Sequence, residues 1–210
     1  MRHFNSKEIN EMESRYRATF INSIGGFKSV CLIGTKNKQH QTNLAIFNSL
    51  IHIGSHPPLI GFVIRPNSVE RHTLENILET KYYTINHINE KIYNQAHQTS
   101  ARYPRHLSEF KACQLNEEYL HDFYAPFVEQ SQIKIGVEMK SQIDISINGT
   151  ILIIGEILEV FLPAVAINQD GFIDLEACGT VTNSGLDSYH LTKKLNRLSY
   201  AKPEKWPLPL

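Results

Sequence analysis

Between residues 137 and 160 the chain carries its most restrictive pattern. Val137, Met139, Ile143, Ile145 and Ile147 alternate with Glu138, Lys140, Gln142, Asp144 and Ser146, and Asn148-Gly149 follows at once. A period of two puts alternate side chains on opposite faces of an extended strand, one for a core and one for water. Asn-Gly is the preferred pair for a two-residue hairpin turn, in which both positions take positive φ. The apolar run 151–160 then reads as the returning strand. A long amphipathic hairpin needs its apolar face covered by further sheet or helix, which points to an antiparallel architecture.

The other segments fit that frame. Ile9, Met12, Tyr16 and Phe20 recur at three- and four-residue steps, which predicts a helix over 6–21 with Asn5 or Ser6 as its cap, Glu8 in its first turn and Gly25-Gly26 as its stop. Residues 30–33 form a short apolar strand ending at Gly34, and 36–41 a turn. Residues 42–53 are expected to pair back as a second strand. A third strand covers 59–64, a short helix 73–79 with Leu74, Ile77 and Leu78 on one face, and a strand 82–88. Residues 89–133 are polar and broken by Tyr103-Pro104 and Ala125-Pro126, so they read as a helical or looped excursion on a barrel. The Pro-rich tail 202–210 is either loose or an arm lying on a partner subunit. The expected fold is mainly β with helical decorations, in a single domain over residues 1–210.

Composition narrows the function classes. With 41% hydrophobic and 20% charged residues the chain is an ordinary globular sequence, not a disordered one. Its 21 basic and 21 acidic residues cancel, so no overall field draws nucleic acid or an anionic membrane, and neither is expected as a partner. Cys31, Cys113 and Cys178 are odd in number and far apart, which predicts reduced thiols in a cytoplasmic protein. The first ten residues lack the apolar run of a secretory signal. The most apolar stretch, 151–167, is broken by Glu156, Glu159 and Pro163 and reads as core rather than a membrane span.

Common catalytic patterns are missing. His52 and His56 have the spacing of two metal ligands on a helix, but Gly54 lies between them and Pro57-Pro58 follow, so a structural role is expected and no metal. There is no G-x-S-x-G elbow, P-loop or G-x-G-x-x-G. Nothing marks a nucleophile or a carboxylate pair.

Two stretches stand out instead. Residues 41–49, Gln-Thr-Asn-Leu-Ala-Ile-Phe-Asn-Ser, set polar groups into an apolar strand. Residues 65–77, Arg-Pro-Asn-Ser-Val-Glu-Arg-His-Thr-Leu-Glu-Asn-Ile, carry cations and a hydroxyl into the start of a helix. Free N–H groups and a favourable dipole at a helix start suit a phosphate monoester, and Arg71 and Thr73, with Arg65 arriving from the strand end, stand where it would sit. Thr73 as a plain N-cap with solvated arginines is the other reading of the same residues.

The order N-L-A-x-F at 43–47, P-P-L-I-G-F at 57–62 and R-H-T-L-x-N-I at 71–77 resembles the flavin reductase-like, FMN-binding split-barrel family. Further matches follow in order: Tyr83-Thr84-Ile85-Asn86, the run 96–104 with Ser108-Glu109-Phe110, Gly155-Glu156, Asp170-Gly171-Phe172-Ile173-Asp174, and Ser184-Gly185 through Tyr189. The chain departs from the family pattern at Ile46, where proline is usual, at Asn48 for serine, and at His72 for aspartate. Gly25-Gly26-Phe27-Lys28 stands where Gly-Pro-Arg-Pro is often seen. The resemblance implies a split β-barrel homodimer with FMN near the subunit interface. It implies Thr42, Asn43, Leu44, Ala45, Asn48 and Ser49 along the ring and ribityl chain, and Arg71, Thr73 and Arg65 at the phosphate. Thr99, Ser100 and Tyr189 would close the site, the last group from either subunit. The implied chemistry is an NAD(P)H:flavin oxidoreductase, with NAD(P)H as transient substrate and a small-molecule electron acceptor. The alternatives are an FMN-binding redox or storage protein without nicotinamide activity, and a related split-barrel oxidase.

Overall fold

The computed structural model describes residues 1–66 and 69–210; Asn67 and Ser68, inside the cationic stretch singled out above, lie outside the described residues. The amphipathic hairpin forms as β9 (Lys134–Ile145) and β10 (Thr150–Phe161), paired antiparallel along their length. Its turn is longer than the two residues expected. Thr150 opposes Ile145, and both Asn148 N–H and Gly149 N–H donate to Ile145 O, at 3.3 and 2.9 Å. Only Gly149 takes positive φ, at 71°. Asn148 serves through its side chain instead, accepting from Thr150 N and Oγ1 at 3.1 and 2.7 Å. The core face also stops short. Residues 134–137 are buried, but Ile143 is 50% and Ile147 97% exposed, because β6 pairs with β9 only as far as Glu138. Beyond that point β9 has a partner strand on one side only, β10, whose Ile153 stays buried in the inner core.

Before the hairpin come α1 (Ser6–Glu11), α2 (Ser14–Ile24), β1 (Lys28–Ser29), β2 (Cys31–Lys36), β3 (Thr42–Phe47), β4 (Ile51–Ser55), β5 (Pro58–Ile64), α3 (His72–Thr80) and β6 (Tyr82–His87). The excursion holds α4 (Tyr93–Gln98), α5 (Glu109–Ala112), β7 (Glu117–Glu118) and β8 (Phe127–Val128). The chain closes with β11 (Thr182–Ser184) and β12 (Ser188–His190). The predicted N-terminal helix is two helices. Asn5 and Glu8 make a capping box on the first, while the Glu13 carboxylate accepts from Arg15 N and Tyr16 N and starts a second. Neither buries a residue. The strand expected over 42–53 is likewise two, β3 and β4.

Seven strands form one antiparallel sheet in the order β3-β2-β6-β9-β10-β5-β4. Among the described residues β3 and β4 do not pair with each other, so the sheet curls without closing and leaves a split between its two edges. Ser49, in the link between them, fastens that split: its Oγ accepts from Val63 N at 3.0 Å and donates to Val63 O at 3.1 Å. Alternation along β2 separates two cores. Ile33 points inward with Phe62, Leu74, Ile77, Tyr83 and Val137, where α3 plugs the curl. Leu32 points outward with Leu44, Ile88, Ile92, Phe110 and Val128, under the excursion. Gly34 permits the crossing of the excursion over β2, since a Cβ there would collide with Pro126 O and Thr84 Oγ1. The tail folds back on itself, with Ser199 N donating to Leu208 O at 2.8 Å and Leu210 N to Arg197 O at 2.9 Å. No helix is long and apolar enough to cross a membrane among the described residues.

Candidate functional site

A cavity of about 800 Å³ opens at the split, along the free edge of β3. Its walls are the end of β5, the start of α3, the segment after α4 and the turn between β11 and β12. Nine of the residues singled out in the sequence line it: Asn43, Ala45, Asn48, Ser49, Arg65, Arg71, Thr73, Thr99 and Ser100. The physical reason is the curl, which brings the two distant stretches edge to helix end. Asn43 Nδ2 donates to Thr73 Oγ1 at 2.9 Å and locks β3 to α3.

Thr73 is not the N-cap. Arg71 holds that position without a side-chain cap, and its N–H meets Glu75 Oε1 at 3.3 Å. Among the described residues, no side-chain cap takes up the first N–H groups of α3. Arg71 Nη2 donates to Pro66 O at 3.2 Å, which folds the guanidinium over the helix start. Its Nε is buried without a partner, as is His72 Nε2, which stands 3.5 Å from a Glu70 carboxylate oxygen without hydrogen-bond geometry. Buried donors without acceptors are costly unless something else supplies one. Asn183 Oδ1, on β11, is a third unpartnered atom of the wall.

Three residues take other places. Thr42 lies outside the main cavity and spends its hydroxyl on Glu117 and Ser108, at 2.6 and 2.8 Å. Leu44 turns its side chain into the outer core, and its N–H donates to Glu109 Oε2 at 3.0 Å. Tyr189 stands behind the wall, its hydroxyl 2.9 Å from Nδ1 of His97, which does line the cavity. Burial, with Asp187 nearby, pushes the Tyr189 phenol up to about 12, so the hydroxyl stays protonated and orients the imidazole.

His97, Glu109 and Asn183 belong to the wall but were not among the residues chosen from the sequence. Glu109 is 6% exposed, and burial holds its carboxyl above the usual range against the lowering effect of the Leu44 N–H. No local pattern marks these residues; only their place within matched motifs, as in 96–104 and 108–110, could have. His52 lies on strand β4, and among the described residues no group of three metal-binding side chains occurs. The cysteines are buried and free; burial alone pushes the Cys31 thiol up to about 12.

An antiparallel sheet curled on itself and left open between its edges, with a large cavity at the opening, defines the split-barrel class of β fold. The chain belongs to the flavin reductase-like domain family: the model described as "Flavin reductase like domain" matches residues 27–171. Solved structures agree. A provisionally named flavin reductase with split barrel domain from Shewanella frigidimarina NCIMB 400 is 53% identical, with 96% of this chain and 100% of that one covered at a TM-score of 0.93. Nitrilotriacetate monooxygenase component B from Bacillus cereus is 18% identical over 94% and 98% of the two chains, with a TM-score of 0.81. The FMN-binding protein from Thermus thermophilus is 13% identical over 90% and 95%, at 0.69. The last two likenesses show the shared fold.

Proposed function

We propose that this protein is a flavin-dependent oxidoreductase that holds FMN in the cavity at the split and accepts hydride from NADH or NADPH. The observation that carries the reading is the start of α3, where, among the described residues, Arg71 Nε and His72 Nε2 are buried in the cavity wall without hydrogen-bond partners and the helix has no side-chain cap. That donor set fits a phosphate, and a space of about 800 Å³ lies within the range of cofactor sites. Family membership and the FMN-binding relative support flavin as the group held.

Bound flavin supplies the hydride and electron chemistry itself. The chain's residues bind, orient and shield it. Arg71, His72 and Thr73 anchor the anionic end, with Arg65 adding positive charge at the rim. The edge of β3 from Asn43 to Asn48 faces the ring, and Asn48 Nδ2, donating to Gly185 O at 3.2 Å, ties that edge to the turn between β11 and β12. Thr99, Ser100 and His97 form the opposite wall, with His97 held by Tyr189. No side chain is required as nucleophile, because the electron chemistry is the flavin's.

The reading extends to a homodimer with the cavity near its interface. Supporting this, α2 buries nothing within the chain while Tyr16, Ile21 and Ile24 stay exposed. The test is direct. Purified protein is expected to be yellow or to turn yellow on adding FMN, to release FMN on denaturation, and to bleach anaerobically with NADH or NADPH. Persistence of the oxidised spectrum with both nicotinamides sinks the reductase half of the proposal. Failure to take up FMN sinks all of it.

A further inference from the structure

We infer that the open edge of β3 reads its ligand through one backbone donor, the N–H of Ile46, and that Glu109 singles this donor out. The inference rests on the flavin reading and deepens it. In an antiparallel pair, opposed residues alternate between exchanging both backbone bonds and turning both groups away. Two observations fix that alternation for β2 and β3. Asn37 N donates to Gln41 O at 3.0 Å, so the pair just beyond Lys36 and Thr42 exchanges a bond. Counting inward, Thr35 with Asn43 and Ile33 with Ala45 are bonded pairs, whereas Gly34 with Leu44 and Leu32 with Ile46 are not. Independently, Leu44 N–H points away from β2, because it reaches Glu109 Oε2 at 3.0 Å.

Leu44 and Ile46 therefore both present their N–H and C=O to the free edge. Glu109 occupies the first of these donors. Ile46 N–H has no protein acceptor among the described residues, and Ile46 lines the cavity. Along the edge, Ile46 presents its own N–H and C=O side by side, a donor beside an acceptor. This pair complements a planar ring edge carrying an N–H beside a carbonyl or ring-nitrogen acceptor, in the way an added strand is recognised. A heterocyclic imide is the ligand chemistry that fits. Proline, the residue usual at this place in the resembled pattern, has no N–H to give. This chain thus has a ring-binding contact that a proline there would lack, and Glu109 is a positioning residue that fixes which N–H remains open.

The experiment titrates FMN and riboflavin, by quenching of flavin fluorescence, into flavin-free full-length protein as wild type, Ile46→Val and Ile46→Pro. Riboflavin carries the same ring without the phosphate. An edge strand tolerates proline where the N–H faces outward. Ile46→Val is expected to bind both ligands as wild type does. Ile46→Pro is expected to lose about five- to tenfold in affinity for both, the scale of one hydrogen bond. Unchanged affinity for both ligands, or a loss confined to FMN, overturns the inference. A second readout needs no variant: the Ile46 amide of labelled wild-type protein is expected to exchange with solvent more slowly once either ligand is bound. An unaltered exchange rate in the saturated protein overturns it. Wild-type protein that binds neither ligand overturns the flavin reading itself.

Discussion

Arg71 concentrates the electrostatics of the cavity in one side chain. One guanidinium nitrogen is tied to Pro66 O, and another is buried without a partner beside the open start of α3. Charge-assisted hydrogen bonds contribute about 1.5–3 kcal/mol each, so Arg71→Ala is expected to weaken FMN binding by about ten- to a hundredfold. Riboflavin, lacking the phosphate, should bind Arg71→Ala and wild type alike; fluorescence titration of both flavins checks this. His87 sets a pH limit of a different kind. Its Nδ1 is buried without a partner, and burial lowers the imidazole from 6.5 to about 4. A ring harder to protonate folded than unfolded leaves stability intact above pH 6.5. Stability then declines as pH falls towards 4, because only the unfolded chain gains the proton. The loss is at most about 3 kcal/mol, set by the distance between 6.5 and about 4. Denaturant melts at pH 7.5 and 4.5 should show it, and His87→Leu should flatten the difference between them by that amount.

At the scale of elements, the hairpin of β9 and β10 and the helix α3 do most to shape the site. β10 bends where it crosses Tyr83, at a register shift between Ile154 and Gly155. A Cβ on Gly155 would collide with Tyr83 Oη and Val137 Cγ1, both deep in the inner core. Gly155→Ala is therefore expected to cost about 1–3 kcal/mol, read as a lowered melting temperature, with flavin affinity per folded molecule largely kept. The hairpin's existence was legible in the sequence, because alternation and Asn-Gly are local signals. Its turn length and the bare outer half were not. Which residues of β9 gain a second neighbouring strand depends on where β6 begins, at Tyr82, 56 residues before its partner Glu138. Likewise α3 was expected from its apolar spacing, while its cap at Arg71 rather than Thr73 was not legible there.

The whole molecule leaves apolar surface at its two ends. Phe27 and the α2 residues Tyr16, Ile21 and Ile24 are exposed, as are Trp206 and Leu208 of the tail. An 11-residue helix with nothing buried is marginal alone, so association of two chains is the expected means of covering it. Light scattering should give twice the 24.0 kDa chain mass, and Tyr16→Glu combined with Ile24→Glu should shift it towards that of one chain. By itself the sequence determined what neighbouring residues decide: strand periods, helix starts, and the two polar stretches around Asn43 and Arg71 whose order carried the family resemblance. Only the tertiary structure decided that these stretches face each other across a split, that Thr42 and Leu44 turn away, and that Glu109, His97 and Asn183 complete the wall. Those outcomes depend on sheet curvature and strand register. Both are set by packing between residues far apart in the chain, where no short-range pattern records the partner.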